Sequence, residues 1–67
     1  MYFRINNDRF KMSSVSRFSR DGQSIQTKKY YLTIWFGKNE RKFAFDTEKE
    51  LDDIVNYLDN TFKVSPV

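Results

Sequence analysis

Few residues in this chain are of types that catalyse reactions, since its 67 residues include neither histidine nor cysteine. Cysteine nucleophiles, ordinary Ser-His triads and soft-metal sites are thereby excluded. The neighbouring acids Asp52 and Asp53 point to different sides of a predicted helix, and the two glycines lie in predicted turns rather than in a phosphate-binding loop. The acids Asp46, Glu48 and Glu50 suit the start of that helix better than a hard-metal site. We therefore expect a non-catalytic protein that needs no cofactor and no metal.

Aromatic and cationic residues, in contrast, have the types and spacing of a nucleic-acid-binding surface. Tyr31 and Trp35 are four residues apart in a predicted strand, so they share one of its faces. Exposed rings stack nucleobases, at about 1–3 kcal/mol per base, and cations around them contact phosphates. The predicted binding residues are Tyr31, Trp35, Lys29, Arg4, Lys42 and Arg17.

A sheet must position these residues. The run Tyr30–Phe36 is aromatic and β-branched, which is typical of a strand, and after a turn at residues 37–40 the segment Arg41–Asp46 predicts the next strand. Alternation gives a core face that holds Tyr30, Leu32, Ile34, Phe36, Phe43 and Phe45, with Phe3 and Ile5 from a short first strand at Tyr2–Ile5. The opposite, open face is predicted to hold Lys29, Tyr31, Thr33 and Trp35, with Lys42 and Ala44 beside them and Tyr2 and Arg4 further out.

The strand expected around residues 10–20 has an ambiguous pattern. Asp21-Gly22 has the composition of a hairpin turn, which predicts that the following strand begins near Ile25. Phe10, Met12 and Phe18 share a parity that suggests the core, but Ser14 and Ser16 share it too, whereas Val15 has the other parity. A β-bulge near residues 13–16 would reconcile these patterns.

The C-terminal helix is predicted over residues 48–62. Thr47 and Glu50 form a capping box at its start, and Ser65-Pro66 is expected to stop the chain from continuing as helix. One apolar stripe, able to cover one sheet face, is formed by Leu51, Ile54, Val55, Leu58 and Phe62. The sequence thus predicts a single α+β domain over residues 1–67. Its three- to four-stranded antiparallel sheet (residues 2–46, order β-β-β-β-α) is packed on one face by one helix, and residues 63–67 form a short tail.

Charge is divided unevenly along the chain. Residues 1–42 carry ten Lys/Arg and three acids, a net +7, whereas residues 43–67 carry two Lys/Arg and six acids, a net −4. Such asymmetry bears on partners rather than on the fold. No apolar run approaches the roughly 18 residues of a membrane span, and the N-terminus turns polar at Asn6. We therefore expect a cytoplasmic protein that does not engage membranes.

Topology and composition give three resemblances. The stretch from Arg17 to Phe62, with strands followed by one helix and a basic sheet, is similar to the positive-cofactor-four family, whose curved sheet binds single-stranded DNA and whose helix forms a dimer. The stretch Lys29–Leu58 resembles the arm-binding domains of tyrosine integrases, which bind double-stranded DNA. Those domains usually carry a basic segment where this chain has Asp46, Glu48 and Glu50. The strand–strand–helix ending also resembles pleckstrin-homology-like domains, which are often protein-binding.

Two hypotheses of function follow. The first is a small nucleic-acid-binding module that holds single-stranded DNA or RNA on the open face. The alternative is a protein-interaction module, either an inhibitor or adaptor of the kind found in phages and mobile elements, or a subunit that forms a homodimer through its Tyr/Trp face.

Overall fold

The computed structural model describes residues 2–63, and the predicted stop at Ser65-Pro66 lies outside that range. The α+β class is confirmed, with antiparallel strands followed by one C-terminal helix that packs on them. In chain order the elements are β1 (Tyr2–Ile5), β2 (Asp8–Lys11), a 3₁₀ turn (Met12–Ser14), β3 (Arg17–Gln23), β4 (Tyr30–Phe36), β5 (Asn39–Phe45) and α1 (Glu48–Phe62).

The strands form two sheets. β3, β4 and β5 make a three-stranded antiparallel sheet in that order, while β1 and β2 form a separate hairpin across the two-residue turn Asn6-Asn7. The single strand predicted around residues 10–20 is therefore wrong, and so is the bulge near residues 13–16. The Ser14 hydroxyl instead donates to the Lys11 carbonyl at 2.6 Å, and the Val15 amide donates to the Met12 carbonyl at 3.3 Å. Such short-range bonds compete with a strand ladder and turn the chain.

Asp21-Gly22 is a β-bulge inside β3, not the predicted hairpin turn. The β3–β4 pairing shifts from Arg20 opposite Leu32 to Gly22 opposite Tyr31, which leaves Asp21 as the extra residue. Gly22 has φ +83°, a left-handed conformation that a bulge and a hairpin turn both favour in glycine. The chain reverses later, at residues 24–29, so β4 does not begin near Ile25, which is 93% exposed in that loop.

The core lies between the three-stranded sheet on one side and the helix and the β1–β2 hairpin on the other. The predicted core face is confirmed for β4 and β5, and the hairpin contributes Phe10, whose ring stacks on Phe36 at a centroid distance of 4.9 Å. Val15 and Phe18 are half-buried against this core. The buried apolar residues are Phe3, Ile5, Phe10, Met12, Leu32, Ile34, Phe43, Phe45, Leu51 and Leu58.

The helix spans the predicted residues and is joined to the sheet by packing and by ion pairs. Its N-cap Thr47 accepts a hydrogen bond from the Glu50 amide at 3.2 Å. Arg20, on the core side of β3, donates to Asp52 at 2.9 Å and to Glu48 at 3.1 Å. The hydrogen bond to Asp52 raises the pKa of the Arg20 guanidinium, which favours its charged form.

Candidate functional site

The open face is the side of the three-stranded sheet that points away from the helix. Residues directly opposite one another in antiparallel strands share a face, so the register sets its rows. The first row is Arg17–Trp35–Glu40, the second is Ser19–Thr33–Lys42, and the third is Gly22–Tyr31–Ala44. Four of the six predicted binding residues lie in these rows, namely Tyr31, Trp35, Lys42 and Arg17.

Arg17 and Trp35 are in direct contact. The guanidinium carbon of Arg17 lies 4.0 Å from the centre of the Trp35 ring, which is a cation–π interaction. Ser16 fixes the pairing of the two strands here, because its amide donates to the Trp35 carbonyl at 2.8 Å. Its hydroxyl oxygen also accepts from the Gly37 amide at 2.8 Å. Arg17 therefore reaches Trp35 from a strand that is well fixed at this end of the sheet.

Tyr31 and Lys42 lie at the other end of the open face, beside a hollow. This hollow has a volume of about 400 Å³ and is walled by the bulge and by the loop of residues 24–27. The hydroxyl groups of Tyr31 and Thr27 hydrogen-bond at 3.0 Å, which ties the ring to that loop. Tyr31 is half-buried and Lys42 is exposed. One aromatic ring and one ammonium group thus border a concave surface whose other lining residues are mostly polar in type.

Acidic residues that the sequence analysis did not place on the open face change its charge. The Asp21 carboxylate accepts hydrogen bonds from Thr33 and, at 3.4 Å, from Ser19, so the bulge turns it onto this face. Glu40 pairs with Trp35 because the β4–β5 turn is the two-residue Gly37-Lys38 and not the predicted four residues. Within the rows and the bulge, Arg17 and Lys42 are balanced by these two acids. Across these rows and the bulge, the open face therefore carries equal numbers of positive and negative side chains.

The other two predicted binding residues lie outside these three rows. The Lys29 ammonium lies 3.6 Å from the Asp46 carboxylate, just before β4. Arg4 belongs to the separate β1–β2 hairpin, where it lines a groove of about 340 Å³ with Glu50 and Asp53 of the helix. The prediction that Arg4 lies on the open face is therefore wrong. Arg4 would extend the open face only if β1 belonged to the three-stranded sheet, but β1 pairs with β2 in a separate sheet.

Residues 2–63 hold neither a cluster of three or more metal-ligating side chains nor a helix long and apolar enough to span a membrane.

The chain matches no protein-family model, and neither the curated proteins nor the solved structures include a significant match. The topological resemblances to three families therefore stay expectations.

Proposed function

We propose that this protein is a non-catalytic nucleic-acid-binding module that holds single strands on the open face. The observation that carries the proposal is the contact of Arg17 with Trp35, with Tyr31 on the same strand. Residues four apart on a strand are separated by about 13 Å, so the two rings stack different bases. Both aromatic rings and arginine side chains stack on bases without sequence preference.

Stacking contributes more than charge on this face. Asp21 and Glu40 offset the positive charge of Arg17 and Lys42, which limits long-range attraction of phosphates. The two cations still contact phosphates locally, Arg17 beside Trp35 and Lys42 beside the hollow near Tyr31. For a single strand, two neutralised phosphates contribute about 1.4 to the slope of log K against log salt.

The test uses Trp35, the only tryptophan, as its own reporter. We expect oligo-dT to quench its fluorescence at low salt, and Tyr31→Leu to weaken binding about tenfold or more, since stacking is worth about 1–3 kcal/mol per base. Tyr57→Leu is the matched control, because Tyr57 lies on the helix, away from the open face. Flat fluorescence at low salt would contradict the proposal. Equal affinity for a duplex would contradict the preference for single strands.

A protein-interaction module is the second candidate, and the balanced charge of the open face favours it. Interface cores are depleted in charge and enriched in Tyr, Trp and Arg. Beside this face the loop of residues 24–29 presents Ile25, whose side chain is 93% exposed. We expect a homodimer or a partner complex through this face to be weakened by both Trp35→Ala and Ile25→Ser. Sedimentation measures the self-association, and a monomer at all concentrations excludes the homodimer.

A further inference from the structure

The outer face of the β1–β2 hairpin is a second surface with aromatic and cationic residues. Register pairs Tyr2 with Lys11 and Arg4 with Arg9, while the alternate residues, such as Phe3 opposite Phe10, point into the core. We call these four outward residues the hairpin face. All four are exposed, and Tyr2 keeps 68% of its surface in contact with solvent.

The hairpin face carries three cations and no acid of its own. None of the ion pairs found among residues 2–63 involves these cations. Asp8, the one acid of the hairpin, points the other way and pairs with Arg41 at 3.0 Å. The helix acids Glu50 and Asp53 line the groove beside Arg4. Arg9, opposite Arg4, and Lys11 lie on β2 and do not line that groove.

The pairing of Arg4 with Arg9 opposes hairpin stability. Like charges directly opposite each other in antiparallel strands are destabilising, and an acid at either position would reverse the effect. A two-stranded hairpin is already only marginally stable by itself. A negatively charged partner that neutralises both arginines would offset their repulsion and would give a reason for the presence of this pair.

We propose that the hairpin face contacts the phosphate backbone of single-stranded nucleic acid on the side of the core opposite the open face, so that a long strand passes around the domain to reach both faces. This inference rests on the proposed nucleic-acid binding. Arg9 and Lys11 are two residues apart on one strand, about 7 Å, with Arg4 across from Arg9. An extended array of cations suits successive phosphates, and the Tyr2 ring offers one more stacking surface. An anionic membrane is the less suitable partner, because Tyr2 is the single large apolar group on this face and membrane binding needs buried apolar area.

A simpler role for the same charges is protection of strand edges. Lysine and arginine on exposed edges hinder edge-to-edge pairing of sheets, and within residues 2–63 both hairpin strands have a free edge. That role needs net charge near the edge but no affinity for phosphate, so a binding measurement separates the two explanations.

The experiment compares the double variant Arg4→Gln/Arg9→Gln with Lys49→Gln/Lys63→Gln. Both variants remove two positive charges, but Lys49 and Lys63 lie in and at the end of the helix. Binding of fluorescein-labelled oligo-dT is followed by anisotropy at several salt concentrations, in parallel with Trp35 quenching. We expect the hairpin variant to bind about tenfold more weakly at 50 mM salt. Its salt slope should be shallower by about 1.4, with the same Trp35 quenching at saturation and an unreduced melting temperature. The control should stay near wild type.

The possible results separate the failure of the hairpin inference from the failure of the proposed function. If the oligonucleotide binds and Trp35 is quenched, but the hairpin variant matches the control, the hairpin inference is overturned and the proposed function stands. If anisotropy rises without Trp35 quenching and only the hairpin variant weakens it, the phosphate contact stands and the open-face proposal fails. No binding at low salt overturns both. Binding to anionic vesicles but not to oligo-dT overturns the phosphate contact in favour of a membrane, and self-association of the variant with unchanged DNA affinity assigns the charges to edge protection.

Discussion

The Asp21 carboxylate sits on the open face with two hydroxyl partners, Thr33 and Ser19. Thr33 is only 3% exposed although it belongs to the face that points away from the core. A buried hydroxyl without a partner is costly, so the bond to Asp21 explains how a threonine is accommodated there. The same bond holds the bulge against β4 and therefore fixes where Tyr31 stands relative to the hollow.

Thr33→Val is expected to lower the free energy of unfolding by about 1–2 kcal/mol, because valine keeps the shape and β-propensity of threonine but leaves Asp21 without its closest donor. Chemical denaturation measures this change. Thr27→Val is the control, since the Thr27 hydroxyl bonds to Tyr31 in an exposed position and its loss should cost less. Equal stability of the two variants would contradict the structural role of the Thr33–Asp21 bond.

The sheet face on which a residue lies was predictable wherever the alternation of side chains along a regular strand alone decides it. Tyr31 and Trp35 lie on the face that their spacing predicts, and Arg17 joins Trp35 because their strands pair in register. Asp21 was not predictable, since its direction depends on the bulge. Lys29 was placed near the right strand, but the sequence pattern does not reveal that its charge is shared with Asp46 across a bend in the chain.

Among the elements, the helix depends on a small number of fully buried residues. Leu51 and Leu58 are 0% exposed, seven residues apart on the apolar stripe, and Phe62 lies at the margin with its ring 6.0 Å from that of Phe18. A domain of this size has a stability of roughly 3–10 kcal/mol. The helix contact is thus a large share of the total.

Leu58→Ala is expected to cost about 2–5 kcal/mol, because it removes buried methyl groups and leaves a cavity between helix and sheet. Thermal unfolding followed by circular dichroism should show a large drop in Tm or no folded state at all. Asn60→Ala, at an exposed position of the same helix, should change Tm little. An unaltered Tm for Leu58→Ala would mean that the helix does not pack on the sheet through this stripe.

Elements with long periodic patterns were predicted well, and those set by local chain reversal were not. The helix bounds and β4 follow from an apolar stripe and an aromatic run. The β3 bulge has the same Asp-Gly composition as a hairpin turn, since both need a left-handed glycine, so composition cannot separate them. The division into two sheets is accompanied by two serine hydroxyl bonds that hydrophobic periodicity does not predict. The Ser14 hydroxyl donates to the nearby Lys11 carbonyl, and the Ser16 hydroxyl donates to the Trp35 carbonyl of β4.

In the whole molecule, the basic and acidic segments of the chain partly neutralise each other. Arg20 pairs with Glu48 and Asp52, and Lys29 pairs with Asp46, so acids from residues 43–67 meet cations from residues 1–42. The net +7 of the first segment therefore does not spread evenly over the sheet. Among the described residues, the hairpin face keeps three cations outside any ion pair, while the open face is balanced.

This distribution predicts that stability and anion binding conflict at the hairpin. Arg9→Glu turns the like-charged pair with Arg4 into an opposite-charged one, and cross-strand charge pairs contribute about 0.2–1 kcal/mol. We expect Tm to rise by a few degrees, since about 1 kcal/mol shifts a domain of this size by about 4–8 °C, while affinity for oligo-dT falls.

Lys11→Glu is the matched control, because Lys11 faces the uncharged Tyr2. It should weaken DNA binding with no gain in Tm, because it introduces the same glutamate without relieving a like-charge pair. A lower Tm for Arg9→Glu than for Lys11→Glu would show that the Arg4–Arg9 pair costs the fold nothing, and the argument that a ligand explains its presence would then fail.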